Sequence, residues 1–343
     1  MRTDKKINNE NRTFSEPLVT VKNLGVEFRS RTGNVQAVDG VTFSLHQAET
    51  LAILGESGSG KSTVALALMG LLPKPNGHIN SGSIHFEGKN LLEVREAERR
   101  KLRGSKMSMI FQDPLSALNP VYTVGFQIGE VLRVHRNMAK KDIKNKVVEL
   151  MEQVRIPDAK NRVNNYPHQF SGGMQQRVVI AMALALQPKV LIADEPTTAL
   201  DVTVQAQIMQ LLKELQETEK MGLIFISHDL GVVANNADRV AVMYAGTMVE
   251  TGDVEEVFRN PAHPYTVGLM KSVPTLGKDT SRLVPIKGSP PNLLAPPTGC
   301  PFSPRCPMAQ TICREKKPKL EQVTDGRMSA CHFHEEVLQN GAN

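Results

Sequence analysis

The chain has 343 residues, of which 40% are hydrophobic and 22% charged, a balance that excludes an intrinsically disordered protein. Its net charge of +6 suits nucleotides, nucleic acid or an anionic membrane surface, but it selects none of these partners. The longest uninterrupted apolar run, residues 178–186, is too short for a membrane span, which needs about 20 residues. The charged N-terminus leads into no apolar stretch, so we expect no secretory signal and a cytoplasmic location.

The first part of the chain predicts an antiparallel layer followed by a buried strand. Residues 1–16 are polar and are expected to be loose. Between residues 18 and 43, short β-rich runs are broken by Gly and Asn, which is typical of antiparallel strands. Residues 50–54 then predict a buried strand, and a Gly/Ser-rich turn leads from it into a helix at residues 61–72.

The remainder of the first 258 residues alternates helices and strands. Residues 138–155 form an amphipathic pattern, and another helix begins near Ser171. Strands are predicted at residues 190–193 and 223–226, with a one-faced helical pattern between them. This alternation predicts an α/β core with a largely parallel sheet.

A complete phosphate-loop motif follows the first buried strand. Residues 55–62 read GESGSGKS and fit G-x-x-x-x-G-K-[ST], in which glycines let backbone N–H groups surround a polyphosphate. Lys61 is expected to reach the β- and γ-phosphates, and Ser62 to offer its hydroxyl to Mg²⁺. The predicted nucleotide-binding residues here are Gly55, Glu56, Ser57, Gly58, Ser59, Gly60, Lys61, Ser62 and Thr63.

Two adjacent carboxylates end the strand at residues 190–193. Asp194 is placed to hold Mg²⁺ through water, and Glu195 to orient the water that attacks the γ-phosphate. Adjacent acids also occur at helix N-termini, and Pro196 allows that alternative. Together with the phosphate loop, the pair favours nucleotide hydrolysis.

The motif that discriminates between phosphate-loop proteins is Phe-Ser-Gly-Gly-Met-Gln-Gln-Arg at residues 170–177. It resembles the LSGGQ signature of the ABC transporter ATPases, with Met174 where the family usually has Gln. The resemblance implies that Ser171, Gly172 and Gly173 cap a phosphate of the nucleotide held by a facing subunit. Hydrolysis would then require two ATPase subunits.

Other residues match the family in the expected order. Gln112 matches the glutamine that senses the γ-phosphate and Mg²⁺ and lies near the membrane-domain contact. Asp201, in Ala-Leu-Asp at 199–201, matches the loop that couples the two subunits, and His228 matches the switch histidine at the γ-phosphate. Phe28 lies where the family stacks an aromatic ring on adenine, although a strand Phe is usually a core residue.

Three stretches resemble the dipeptide and oligopeptide importer branch: residues 111–120, residues 193–207, and His-Pro-Tyr-Thr at 263–266 with the Pro-rich tail after it. The resemblance implies a related second ATPase, two permease subunits, an extracytoplasmic peptide-binding protein and a peripheral place on the cytoplasmic face of the membrane. Nickel or antimicrobial peptides are alternative cargoes of the branch.

Two rival functions are disfavoured by features of the chain. An ABC ATPase acting on DNA or ribosomes usually carries coiled-coil insertions or tandem cassettes, and neither is visible, so no nucleic-acid partner is expected. A regulatory subunit would be expected to lack Glu195 or His228, and both are present.

All four cysteines lie in the tail, at Cys300, Cys306, Cys313 and Cys331. In a reducing compartment such a cluster suggests a metal site rather than disulfides. The spacings are wider than the C-x2-C pairs of zinc ribbons, and the resemblance favours a [4Fe–4S] cluster over Zn²⁺. Four reduced thiols packed in a small tail are the alternative.

The predicted architecture is a phosphate-loop NTPase core with an antiparallel β-subdomain, a helical subdomain and a small cysteine-containing appendage. We place the ATPase domain at residues 17–258, the helical subdomain at about 115–175, and the appendage at 259–343.

Overall fold

The computed structural model describes residues 16–31, 33–198, 200–272 and 285–341, so most of the N-terminal segment expected to be loose lies outside the described residues. The strands are β1 Val19–Ser30, β2 Gly33–Leu45, β3 Thr50–Leu54, β4 Gly77–Phe86, β5 Lys89–Asn90, β6 Met107–Ile110, β7 Val190–Asp194, β8 Gly222–Ser227, β9 Arg239–Tyr244, β10 Thr247–Asp253, β11 Glu321–Thr324 and β12 Arg327–Ser329. The α-helices are α1 Lys61–Met69, α2 Glu96–Leu102, α3 Pro114–Ala117, α4 Val124–His135, α5 Lys140–Gln153, α6 Ala159–Arg162, α7 Gly172–Leu184, α8 Val202–Glu219, α9 Leu230–Asn236, α10 Val254–Arg259, α11 Pro264–Lys271, α12 Thr311–Glu315 and α13 His334–Gly341.

The predicted antiparallel layer is present as a four-stranded sheet in the order β2-β1-β4-β5. The prediction of several short strands is wrong, because the short runs join into two strands of 12 and 13 residues. Asn23 has a positive φ of 48°, and the register of β1 shifts between Val21 and Val26. The irregular residues are therefore accommodated as bulges within one strand rather than ending it.

The main sheet has a parallel centre, as predicted, in the order β9-β3-β8-β7-β6. Both β3 and β7 are buried along their whole length, which is expected of strands covered on both faces. Leu54 pairs with Ser227, and Asp194 pairs with Ile226. The carboxyl ends of these strands therefore bring the phosphate loop, the acidic pair and His228 to one edge of the sheet.

The C-terminal segment is joined to this sheet. Strands β10, β12 and β11 continue it beyond β9 with antiparallel pairing, and Glu250 of β10 pairs with Ser329 of β12. A buried ion pair of 2.8 Å between Glu250 and Arg327 crosses the same junction. The segment predicted as an appendage thus completes one edge of the core.

The helical part lies between β6 and β7 and contains α3 to α7. Helix α5 confirms the amphipathic pattern, and its apolar face joins the core through Ile143, Val147 and Leu150. Helix α1 ends at Met69, three residues before its predicted end, because Gly70 adopts a left-handed C-cap conformation with φ of 64°. In the described part of the chain, no helix has the length and apolar character required to span a membrane.

Candidate functional site: a nucleotide cleft

The phosphate loop joins β3 to α1 through glycines that no other residue could easily replace. Gly58 and Gly60 have φ of 78° and 98°, in the left-handed region that L-residues disfavour. A Cβ on Gly60 would also lie 2.5 Å from the Ala37 carbonyl oxygen. The loop therefore requires glycine both for its turn and for its close approach to β2.

Lys61 begins α1 and is nearly buried, with 5% of its surface exposed. Its ammonium donates hydrogen bonds to the carbonyl oxygens of Gly55 at 2.8 Å and Glu56 at 3.0 Å. Burial lowers the pKa of Lys61, and the nearby carboxylates of Glu195 and Asp194 partly oppose this effect. A cation is thus held inside the phosphate loop by backbone oxygens.

The phosphate loop and the acidic strand are joined by one hydrogen bond. Ser62 Oγ donates to Asp194 Oδ1 at 3.0 Å. Burial raises the pKa of the Asp194 carboxyl above its ordinary value, while the Ser62 hydroxyl opposes the rise. A hydroxyl and a carboxylate side by side form a pair of oxygen donors of the kind that Mg²⁺ prefers.

Glu195 is the centre of a hydrogen-bonded cluster. Its Oε2 accepts from Gln112 Nε2 at 2.9 Å and from Thr198 Oγ1 at 3.0 Å, and its Oε1 lies 3.2 Å from His228 Nδ1. Its backbone φ is 45°, which is unusual for a non-glycine residue and frequent at functional sites.

The same contacts set the ionisation of Glu195. Burial alone would raise the pKa of its carboxyl, but the hydrogen bonds from His228 and Thr198 and the charge of Lys61 outweigh burial and lower it. Glu195 therefore stays ionised, and its oxygens are held in fixed directions.

These groups surround an open cleft of about 600 Å³, within the range typical of ligand sites. Its lining residues are Ala37, Ser57, Gly58, Ser59, Gly60, Lys61, Ser62, Thr63, Gln112, Glu195, Thr198 and His228. Ala37 and Thr198 were not expected from the motifs. Phe28 is not among the lining residues; it lies on β1, in register with Gly77 of β4, and packs beside the core under that sheet.

The signature residues lie outside this cleft, at the start of α7. Ser171 is the N-cap, and its Oγ accepts from Met174 N at 3.4 Å. Gly173 allows close packing on α8, because a Cβ there would lie 2.6 Å from Val204. Asp201 caps α8 in the same region by accepting from Val204 N at 2.9 Å, whereas its predicted neighbour Ala199 lies outside the described residues.

The structure explains how Met174 is tolerated in the signature. Met174 packs against the core, while the next residue, Gln175, is buried and donates to the carbonyl oxygens of Pro167 at 2.9 Å and Phe170 at 3.2 Å. Gln175 thereby holds the turn that precedes Ser171. The N-terminus of α7 is formed without Gln at position 174.

The four tail cysteines line one small cavity, together with His263 and Phe302. None of them is in a disulfide. Burial raises the pKa of Cys300 to about 11 and that of Cys331 to about 12, so these thiols stay protonated at neutral pH unless a cation stabilises the thiolates. Across the described ranges, no set of three or more His, Cys, Asp or Glu residues is close enough to form a metal site, so the predicted cluster geometry is not present as such.

Comparison with known families identifies two matching regions. Residues 38–198 match the family described as ABC transporter, and residues 249–313 match the family described as oligopeptide/dipeptide transporter, C-terminal region. The second match covers most of β10, all of α11 and three of the four cysteines.

Curated relatives extend over nearly the whole chain. The dipeptide transport ATP-binding protein DppD of Bacillus subtilis is 50% identical over 325 residues, covering 95% of this chain and 97% of that protein. The oligopeptide transport ATP-binding protein OppD of the same organism is 54% identical, covering 90% of this chain and 86% of that protein. DppD of Escherichia coli is 49% identical, with 92% and 96% covered.

Solved structures match the cassette. A dimeric post-hydrolysis state of the ATP-binding cassette MJ0796, bound to ADP and Pi, has a TM-score of 0.62 and 27% identity. The match covers 69% of this chain and 98% of MJ0796. Just under a third of this chain lies outside that match.

Proposed function

The chain belongs to the ABC transporter ATPases of the dipeptide and oligopeptide importer family, and we propose that it hydrolyses ATP to drive uptake of short peptides across the cytoplasmic membrane. The single observation that carries the proposal is the Glu195 cluster. An ionised carboxylate, held by Gln112, Thr198 and His228, faces the phosphate loop across one cleft. This arrangement suits activation of water next to a bound polyphosphate.

The phosphate loop supplies charge and donors for the nucleotide. The backbone of residues 55–63 and the Lys61 ammonium bind the phosphates, so positive charge is in place where negative charge develops during transfer. Ser62, Asp194 and Gln112 would hold Mg²⁺, which would supply positive charge to the bound polyphosphate. Phe28 is assigned to the adenine on the resemblance alone.

Glu195 accepts a proton from, or orients, the attacking water. His228 contacts the γ-phosphate and at the same time fixes one carboxylate oxygen of Glu195. Because three side chains orient this carboxylate, its lone pairs have a defined direction before substrate arrives. Such preorganisation is a main source of rate enhancement.

The active unit contains two ATPase subunits. Ser171, Gly172 and Gly173 do not line the cleft of their own chain, so the anion-binding end of α7 is available to a nucleotide on a facing subunit. Asp201 lies beside this end and couples the two sites. The second ATPase is a related chain, as in the importers that the sequence resembles.

An exposed apolar face supports docking on membrane permeases. Large apolar side chains on either side of Gln112 lie partly or mostly in solvent. Two of them, Phe111 and Val134, line a groove between α3, α4 and α7. Exposed clusters of this kind mark interaction surfaces. The exposed residues are Phe111, Leu115, Val121, Tyr122, Phe126 and Val134. Closure of the two ATPases is transmitted through this face to two permease subunits.

Cargo is selected outside this chain by an extracytoplasmic binding protein. Dipeptides and oligopeptides are the cargoes named for the relatives, and nickel or antimicrobial peptides are the alternative. The chain itself works as a peripheral subunit on the cytoplasmic face of the membrane.

We also propose that the four tail cysteines hold an iron–sulfur cluster. Four thiols border one cavity and are the ligand type that a [4Fe–4S] cluster takes, but among the described residues they are not arranged as a ready metal site. Cluster binding would require the thiols to move closer together and to lose the protons that burial stabilises on Cys300 and Cys331.

Anaerobic purification followed by iron and sulfide analysis tests the cluster. We expect about four irons and four sulfides per chain, and their loss in a Cys306→Ser variant. Colourless, iron-free wild-type protein with a folded tail would instead support four reduced thiols.

Peptide uptake tests the proposed function. In cells that depend on this importer, Lys61→Ala is expected to abolish uptake of a labelled dipeptide or tripeptide, whereas the tail variant Lys317→Ala retains it. Normal uptake with Lys61→Ala would remove the chain from the energising role.

A further inference from the structure

The C-terminal segment contacts the phosphate loop directly, through an ion pair between Arg305 and Glu56. Arg305 Nη1 lies 2.7 Å from Glu56 Oε2, and Arg305 Nη2 lies 3.1 Å from Glu56 Oε1. The two residues are 249 positions apart in the chain. A two-point contact between a guanidinium and a carboxylate fixes direction as well as distance.

A second residue of the C-terminal segment holds the backbone of Glu56. The Glu56 N–H donates to Tyr265 Oη at 2.9 Å, and the Glu56 carbonyl oxygen accepts from Lys61 Nζ at 3.0 Å. Tyr265 is fully buried. The N–H, the carbonyl and the carboxylate of Glu56 are thus each hydrogen-bonded, and two of these three groups are held by residues after position 258.

Arg305 is also held in place by groups other than Glu56. It donates to the carbonyl oxygens of Lys287 at 3.1 Å and Ile286 at 3.2 Å, and to Tyr244 Oη at 3.3 Å. Only 5% of its side chain is exposed. A buried guanidinium with several fixed acceptors loses little further freedom when it binds a carboxylate.

The charge of Glu56 makes this contact relevant to ATP. Glu56 is the only acidic residue in the phosphate loop at residues 55–62, and 28% of its side chain is exposed. An unpaired carboxylate at that place would repel a polyphosphate, because the interaction between like charges is long-ranged in a partly buried site. Arg305 neutralises this carboxylate and holds it in one position.

We propose that Arg305 is a positioning residue for the ATP site: it neutralises Glu56 and fixes the first residues of the phosphate loop from the C-terminal segment. This inference rests on the proposed role of residues 55–62 in binding ATP. It assigns the tail a part in nucleotide affinity, beyond completing the edge of the sheet.

Calorimetric titration of the full-length chain with the slowly hydrolysed analogue MgATPγS tests the proposal. We expect Arg305→Ala to raise the dissociation constant about tenfold, since an unpaired negative charge remains in the loop. The double variant Arg305→Ala with Glu56→Gln is expected to recover affinity to within about threefold of wild type, because it removes that charge. A purely structural anchor predicts no such rescue.

Lys317→Ala is the matched control, because it removes another ion pair between the tail and the core, with Asp39, that does not contact the phosphate loop. Its dissociation constant should equal that of wild type. If Arg305→Ala does not fold, Arg305→Gln replaces it, with the same expected direction and the same rescue.

Two results would overturn the proposal: an affinity within about twofold of wild type for the folded Arg305 variant, or a double variant no better than the single one. Failure of the proposed function would give other results in the same titration. In that case wild type itself would not bind MgATPγS, or Lys61→Ala would bind it equally well.

Discussion

The Ser62 hydroxyl donates a 3.0 Å hydrogen bond to the Asp194 carboxylate, although the two residues are 132 positions apart in the chain. This bond joins the phosphate loop to the acidic strand at the edge where β3, β8 and β7 end. Ser62, Lys61 and the Glu195 cluster all line the same cleft.

Asp194→Asn should weaken metal binding without destabilising the fold. Burial raises the pKa of Asp194, so the folded chain holds the proton more tightly than the unfolded chain, and the ionised carboxylate reduces stability at neutral pH. We expect Asp194→Asn to weaken Mg²⁺-dependent ATP binding without lowering the thermal midpoint. The difference in stability between the variant and wild type should vanish at pH values below the ordinary carboxyl pKa, where the wild-type side chain is protonated in both the folded and the unfolded state. A lower midpoint at neutral pH would contradict this explanation.

Glu195→Gln should retain ATP binding and lose hydrolysis. Gln can keep a hydrogen bond to Thr198, but it cannot accept a proton from water, so phosphate release should fall by at least about 100-fold. The reconstituted importer is the sample, and Glu217→Gln, on the exposed face of α8, is the control. Turnover within a fewfold of wild type would remove Glu195 from its assigned role.

Leu115→Glu should weaken binding to the permeases. Leu115 is 63% exposed among the apolar side chains near Gln112, and a charge placed on such a surface opposes its burial. We expect about tenfold weaker association in a detergent-solubilised complex, with nucleotide binding unchanged. Leu294→Glu, at an exposed leucine of the C-terminal segment, is the control. Equal loss for both variants would indicate nonspecific destabilisation rather than a docking face.

Arg327→Met should loosen the edge of the main sheet. Glu250 is fully buried and accepts from Arg327 as well as from the backbone N–H groups of Ala262 and His263. Removing Arg327 takes away the only charge that the described contacts pair with this buried carboxylate, a loss that costs about 3–5 kcal/mol. Hydrogen exchange at residues 321–329 should accelerate, whereas Lys317→Met, which breaks an exposed pair, should change it little. Unchanged exchange in Arg327→Met would show that β12 is held by other contacts.

The main parts of the candidate site could be predicted from the sequence because each is a short motif next to a buried strand. Strand pairing then brings the carboxyl ends of β3, β7 and β8 together, so Lys61, Asp194 and His228 converge without further information. Thr198 was missed because a lone threonine after Glu195 carries no recognisable spacing. It is found only through its hydrogen bond.

Contacts between residues far apart in the chain could not be predicted from hydrophobic periodicity. The bulges around Asn23 look like breaks in a one-dimensional pattern, yet pairing on both sides of β1 keeps the strand continuous. The short strands β11 and β12 are too weak as sequence patterns to predict that they extend the sheet beyond β10. The contact between Arg305 and Glu56 depends on the folded path of the tail and leaves no local trace.

We propose that nucleotide is bound between residues 55–62 of one ATPase subunit and residues 171–173 of the facing subunit. A structure of the full importer carrying Glu195→Gln, trapped with MgATP, would test this. We expect the γ-phosphate to contact Lys61 of one subunit and the N-terminus of α7, at Ser171, of the other. ATP bound to residues 55–62 with the opposing 171–173 segment remote from it would show that the facing subunit does not complete the site.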